Sequence, residues 1–171
     1  MGSEMCIRDS YNIEEMLRDK APLFLLLENI QDPGNLGTML RTGEGAGVSG
    51  IIMSRDTVDL YNPKVIRSTM GSIYRVPFYY ADDFAAAVHQ VQQAGVSVYA
   101  AHLRGKNSYA CQDYTKGTAF LIGNEGNGLR EETAELADCY IRIPMEGKVE
   151  SLNAAVASSI LMYEAHRQRA I

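Results

Sequence analysis

Residues 23–27 (Leu-Phe-Leu-Leu-Leu) form a short, unbroken apolar run. A run of that length without polar alternation suits a strand buried on both faces, as in a parallel sheet. A Pro-Gly turn follows, and Asn35 to Gly47 reads as a helix with Leu36, Met39, Leu40 and Ala46 on one apolar side. Val48 to Met53 predicts the next strand. Asn62-Pro63 marks a turn, and a short helix from Pro63 to Met70 would carry proline in its first turn. Arg75 to Tyr80 predicts an edge strand, because Pro77 cannot donate to a ladder. Asp82 to Ala94 is amphipathic, with Phe84, Ala87, Val88 and Val91 on one face, Asp82 as its cap and Gly95 as its stop. Val96–Ala101, Thr118–Ile122 and Cys139–Ile143 read as strands, Glu131–Ala137 as a short helix and Asn153–Arg169 as a long final one. This alternation defines an α/β domain with a mostly parallel sheet flanked by helices. In such sheets ligands bind beyond the carboxyl ends of the strands.

A chain of 171 residues, 46% hydrophobic, suits one domain with a real core. Met1 to Ser10 show neither periodicity nor a signal-peptide core and read as a cloning remnant. Residues 1–20 are therefore expected to be an N-terminal extension and 21–171 the folded domain. With no export signal and no bilayer-length apolar stretch, the expectation is a cytoplasmic protein without a membrane partner. Cys6, Cys111 and Cys139 are widely spaced, with no C-x-x-C pair, which argues against a disulfide framework and against zinc. His89, His102 and His166 are scattered, and no metal site is expected. The net charge of −5 disfavours tight unaided binding to nucleic acid, unless basic residues gather on one face.

Three short blocks stand out, each a glycine-bearing or polar loop after an apolar run. The first is Asp32-Pro33-Gly34-Asn35-Leu36-Gly37-Thr38-Met39-Leu40-Arg41-Thr42. There Pro33-Gly34 turns the chain, Asn35 is placed to cap the helix, Gly37 allows close backbone approach, and Arg41 lies in the second turn. Alone, this would be an ordinary capped helix with a solvated arginine. The second, Ile122-Gly123-Asn124-Glu125-Gly126-Asn127-Gly128-Leu129, has the glycines expected for close approach to a ligand or for positive φ. It lacks the Lys-Ser/Thr of a P-loop and the dinucleotide fingerprint. Glu125 at its centre would repel phosphate but tolerate a sulfonium cation or hydrogen-bond donors. The third runs from Ile143-Pro144-Met145 to Glu150-Ser151-Leu152-Asn153-Ala154-Ala155. Ser151 or Asn153 could cap the last helix. Backbone groups of Ile143 and Leu152 could read an adenine edge, with Met145 and Leu152 against its face. One such loop is weak; three at the ends of successive strands describe a pocket.

The set and its order resemble the SpoU family of S-adenosylmethionine-dependent RNA ribose 2′-O-methyltransferases, from about Ala21 to Arg169. The resemblance carries Asn35 and Arg41, Glu125, and Ser151 and Asn153 over as catalytic positions. It implies a trefoil knot in the C-terminal part of the sheet, which periodicity could not show, and a homodimer with the pocket near the subunit interface. It implies S-adenosylmethionine as cofactor, leaving S-adenosylhomocysteine, bound by Ala101, Leu103, Gly123, Asn124, Gly126, Ile143, Pro144, Met145 and Leu152. The substrate would be tRNA or rRNA. Arg41 would bind RNA beside the reacting hydroxyl; a guanidinium is a donor, suited to the adjacent phosphate and to developing alkoxide charge. Asn35 and Glu125 would hold Arg41 and the loops in place, and Ser151 and Asn153 would order the cofactor end. Lys64 and Arg67, three apart on one helical face, are further candidates for RNA phosphates or else a solvated pair.

Two features depart from the family pattern. Thr42-Gly43-Glu44-Gly45-Ala46-Gly47 is rich in glycine where alanines are usual, so the helix should end early or pack unusually closely. Many members also carry a separate N-terminal RNA-binding domain, whereas only about twenty residues precede the first strand here. The alternative to an enzyme is a catalytically silent RNA-binding or assembly module on the same fold. It would predict loss of Arg41 or Glu125, and both are present. A dehydrogenase-like reading lacks its fingerprint, and neither Cys111 nor Cys139 sits in a marked loop as a methyltransferase nucleophile would.

Overall fold

The computed structural model describes residues 11–170. The reading of residues 1–10 as a cloning remnant lies outside the described residues. Seven strands make one sheet: β1 (Leu23–Leu27), β2 (Gly50–Ser54), β3 (Phe78–Ala81), β4 (Ser97–Ala101), β5 (Asn107–Ser108), β6 (Thr118–Ile122) and β7 (Cys139–Arg142). Their spatial order is β3-β2-β1-β6-β4-β7-β5, and every pairing is parallel. The helices are α1 (Ile13–Met16), α2 (Pro33–Ala46), α3 (Pro63–Ser68), α4 (Phe84–Gln93), α5 (Glu131–Ala134) and α6 (Ala154–Arg169).

The apolar run that predicts β1 is buried at all five positions, since β1 is central and both faces are covered. Leu23, Leu25 and Leu27 join one core cluster with α2 and α6; Phe24 and Leu26 join another with α1 and α4. Burying each such side chain contributes about 1.5–3 kcal/mol, which is why an alternating pattern is absent here. β3 lies at a sheet edge, with Pro77 just before it.

Two helix caps differ from expectation. Asp32, not Asn35, caps α2: its carboxylate accepts from the Asn35 amide at 2.8 Å and Pro33 opens the helix. Proline's missing N–H is no loss there, so the helix begins two residues earlier and the Asn35 side chain is not used as its cap. Asp83, not Asp82, caps α4, accepting from the Ala86 amide, while Asp82 pairs with Arg55. Strand β5 and helix α1 have no counterpart in the sequence reading, being too short for periodicity to register.

The glycine-rich end of α2 does not stop the helix early. It packs closely instead: a Cβ on Gly43 would come within 3.0 Å of Val48, and one on Gly45 within 2.8 Å of the Tyr163 hydroxyl on α6. A Cβ on Gly37 would sit 1.6 Å from Ser68 Oγ, so α3 rests directly on α2 at that point. Gly47 ends the helix in the left-handed region at φ 79°.

Candidate functional site

The carboxyl ends of three neighbouring strands, β6, β4 and β7, open onto one cavity of about 860 Å3. That lies within the range of sites for cofactor-sized ligands. Its walls are the ends of β4 (Ala101 to Leu103), the loop Gly123–Leu129, and the long segment from β7 to the start of α6. All nine residues expected to bind cofactor line it: Ala101, Leu103, Gly123, Asn124, Gly126, Ile143, Pro144, Met145 and Leu152. Glu125 and Ser151 line it as well.

The Gly123–Leu129 loop is held by its own polar groups. Asn124 Oδ1 accepts from the amides of Gly126 and Asn127, both at 3.0 Å. Asn124 and Gly128 exchange backbone hydrogen bonds as an isolated bridge, with Gly128 at φ 68°. Gly123 is required by this loop itself, because a Cβ there would meet Gly128 C and Leu129 N at 2.2 Å. The Asn124 side-chain amide donates to the Asn29 carbonyl at the end of β1.

Glu125 crosses from the second block to the first. Its Oε1 accepts from the Asp32 amide at 2.9 Å and from Asn35 Nδ2 at 3.3 Å, and its Oε2 from the Gln31 amide at 3.1 Å. Partial burial pushes this carboxyl up, but the amides of Asp32 and Gln31 outweigh it, and its pKa lies below the ordinary 4.5. Asn35 Oδ1 in turn accepts from Asn153 Nδ2 at 3.0 Å. Asn153 caps α6, accepting from the amides of Ala155 and Val156. Asn35, Glu125 and Asn153, from three different blocks, therefore form one hydrogen-bonded line that touches the cavity at Glu125; Asn35 and Asn153 do not line it.

Arg41 is not part of that line. It is exposed on α2, does not line the cavity, and makes no hydrogen bond or ion pair among the described residues. Glu125 bonds the turn that launches α2 and the Asn35 side chain, and neither Glu125 nor Asn35 bonds the Arg41 guanidinium among the described residues. Lys64 and Arg67 are exposed on α3, away from the cavity.

A second anchor of the loop has no local signal in the sequence. Glu28, only 2% exposed, accepts from the Arg130 amide at 2.9 Å, from the Arg130 guanidinium at 3.3 Å and from the Thr133 hydroxyl. Arg130 also pairs with Asp56 beyond β2. Glu28 and Arg130 lie 102 residues apart, so no spacing could reveal them; a carboxylate at the end of an apolar strand is the one hint. His102 also lines the cavity. Its ring stacks on Tyr140 at 4.9 Å and its Nδ1 accepts from the Arg104 amide. Burial, aided by Arg104, lowers its pKa.

The fold and site define an α/β domain with a parallel sheet and a ligand cavity at its strand ends, edged by polar residues from three loops. The chain belongs to the SpoU rRNA Methylase family, which matches residues 22–163. It is 37% identical, over 81% of its length and 56% of the relative's, to 23S rRNA (guanosine(2553)-2′-O)-methyltransferase RlmP of Bacillus subtilis (strain 168). It superposes on the crystal structure of the SpoU methyltransferase AviRb from Streptomyces viridochromogenes with a TM-score of 0.88 and 30% identity, covering 94% of this chain and 65% of that one. An AdoMet-bound rRNA methyltransferase from Sinorhizobium meliloti gives a TM-score of 0.80 and 39% identity, over 87% and 57% of the two chains. The chain thus spans between about half and two thirds of the length of these proteins.

Proposed function

We propose that this domain transfers a methyl group from S-adenosylmethionine to a ribose 2′-hydroxyl of tRNA or rRNA. The observation that carries the reading is the cavity at the ends of β6, β4 and β7, with Glu125 of its wall joined through Asn35 to Asn153. The lining suits the cofactor. Apolar side chains of Ile143, Met145 and Leu152 offer a face for adenine, the adjoining backbone offers its edge partners, and Glu125 favours a cationic centre over a phosphate. The named activities of RlmP and of the two solved methyltransferases agree with it.

The cofactor supplies an already activated methyl group. The protein's part is to place the ribose hydroxyl in line with it, which can be worth about 7–11 kcal/mol in favourable cases. Arg41, without a side-chain partner among the described residues, is suited to bind the adjoining phosphate and stabilise negative charge on the 2′-oxygen. Being only a donor, it leaves the hydroxyl proton to another acceptor. Asn35, Glu125 and Asn153 act as positioning residues, fixing the start of α2 against the two cavity loops. Ser151 lies at the mouth of the same cavity.

The domain acts as a homodimer in this reading; the half-exposed Val156 and Tyr163 on α6 suit a subunit contact. It also contains the trefoil knot. Spatial and sequence order diverge at β4 to β7, and the segment leaving β7 returns to the first block through Asn153 and Asn35. A cytoplasmic setting fits an RNA substrate; among the described residues no helix is long and apolar enough to cross a membrane.

Calorimetric titration with S-adenosylhomocysteine tests the reading, with binding near one per subunit expected. No binding by the folded protein would favour a silent RNA-binding module. Arg41→Ala should cut methyl transfer by roughly 100-fold or more while leaving that affinity nearly unchanged. Equal loss of both would give Arg41 a structural role.

A further inference from the structure

The six arginines Arg55, Arg75, Arg104, Arg130, Arg167 and Arg169 are engaged by carboxylates or carbonyls. Arg41 on α2, and Lys64 and Arg67 on α3, have no side-chain partner among the described residues and are exposed. The two helices are in direct contact at Gly37 and Ser68; Arg41 lies one turn along α2 from that contact and Lys64 one turn along α3. Other unpaired cations, among them Arg18 and Arg142, lie elsewhere on the chain, but these three stand on two helices that touch, where cations suit a polyanion.

The chain leaving α3 adds a second feature. Met70 adopts φ 50°, an unfavourable left-handed conformation for a non-glycine residue, and its apolar side chain is 68% exposed. Gly71 follows at φ 87°, and a 3-10 turn (Ser72–Tyr74) then presents Tyr74, 71% exposed. This is not a loose loop. Ser72 and Arg75 both bond Glu44 on α2, one turn beyond Arg41, and the Ser72 amide bonds the Thr69 carbonyl. The Tyr74 ring has no aromatic contact and its hydroxyl no hydrogen bond among the described residues. A rigid mount thus holds an exposed aromatic side chain in water on the chain that leaves the α3 cations. Strain of this kind persists where the surrounding structure enforces it, as at ligand-binding positions.

We propose that the ridge formed by α3 and the Met70–Tyr74 turn docks single-stranded RNA. The Tyr74 ring, with Met70 beside it, provides a stacking platform for a base, and Lys64 and Arg67 bind the flanking phosphates on the way to Arg41. Stacking on an exposed aromatic and contacts to phosphate are how single strands are held without sequence readout. The inference rests on the RNA-methyltransferase reading and says where on the domain the strand lies.

Binding of a short fluorescein-labelled single-stranded oligoadenylate, followed by anisotropy at low salt, tests it. Tyr74→Ala should weaken binding roughly 5- to 100-fold. Tyr74→Trp should retain affinity, and, because the chain has no tryptophan, its fluorescence should be quenched by the bound strand. Lys64→Ala should reduce the salt dependence by about one phosphate contact. Unchanged affinity in Tyr74→Ala, or no quenching in Tyr74→Trp, would overturn the proposal. So would a wild-type protein that ignores the oligonucleotide, while the separate titration with S-adenosylhomocysteine reports on the methyltransferase reading itself. Dissociation of a dimer by Tyr74→Ala, seen in sedimentation velocity, would show instead that a second copy covers this ridge.

Discussion

The two long walls of the cavity are built in opposite ways. The Gly123–Leu129 loop is cross-tied at nearly every residue: Asn124 bonds back to its own amides and to Asn29, Glu125 reaches Gln31, Asp32 and Asn35, and Arg130 at its exit locks onto Glu28. The facing segment from Pro144 to Leu152 makes no backbone–backbone hydrogen bond among the described residues, and most of it is exposed. One wall is assembled by folding. The other has amides, carbonyls and apolar side chains still unused, so a ligand can satisfy them. The difference assigns distinct consequences to mutations in each: the tied wall should couple binding to stability, the open wall should not.

The largest effect is expected from Gly123→Ala. The new methyl group would meet the loop's own backbone at 2.2 Å, where nothing can rotate away. It should lower stability by about 1–3 kcal/mol or more and weaken S-adenosylhomocysteine at least roughly 10-fold, read by thermal unfolding and calorimetry. Gly126→Ala is the control within the same loop, since the nearest atom would be Asn124 Oδ1 at 3.6 Å; similar damage from both would mean that the clash is not the cause.

Leu152→Asp attacks the open wall. It should weaken the same ligand roughly 10-fold while leaving the unfolding temperature within about 1 °C, because a half-buried position without hydrogen bonds contributes little to folding. A large loss of stability would erase the distinction between the walls.

Glu125→Ala removes the acceptor of two backbone amides and should cost about 1 kcal/mol, at the low end for such groups because the site is partly solvated. Its pH dependence sharpens the comparison. The folded carboxyl has a pKa below the unfolded value, so its contribution is fully present above the ordinary carboxylate range and is lost as pH falls through the lowered value. The stability difference between wild type and Glu125→Ala should therefore be constant from neutral pH down to about 5 and shrink in stronger acid. A difference that vanishes by pH 6 would mean that Glu125 is not held as the geometry shows.

Much of this molecule is legible along the chain. The run Leu23–Leu27 suits a doubly buried strand and is one, and the second and third blocks are loops at strand ends as read, whereas the first, apart from Asp32, is the start of α2. The nine cofactor-lining positions lie on the cavity for that reason: they follow strands, and parallel strands put all their carboxyl ends on one side of the sheet. The site's cross-links were not legible. Asn35 looks like a cap until Asp32 is seen to fill that role, and its amide is then free to bridge Glu125 and Asn153, 90 and 118 residues away. Glu28 looks like a strand terminus until Arg130 arrives from beyond β6.

The sequence by itself determined the class of fold, the order of the loops and the family, because burial periodicity and turn chemistry are properties of neighbouring residues. Only the tertiary structure decided which polar groups meet at the site, that Arg41 stands apart from them, and that Tyr74 is held out in water on the turn after α3. A hydrogen bond depends on where two side chains end up in space, and the sheet order β1-β6-β4-β7 brings together residues that no local pattern links.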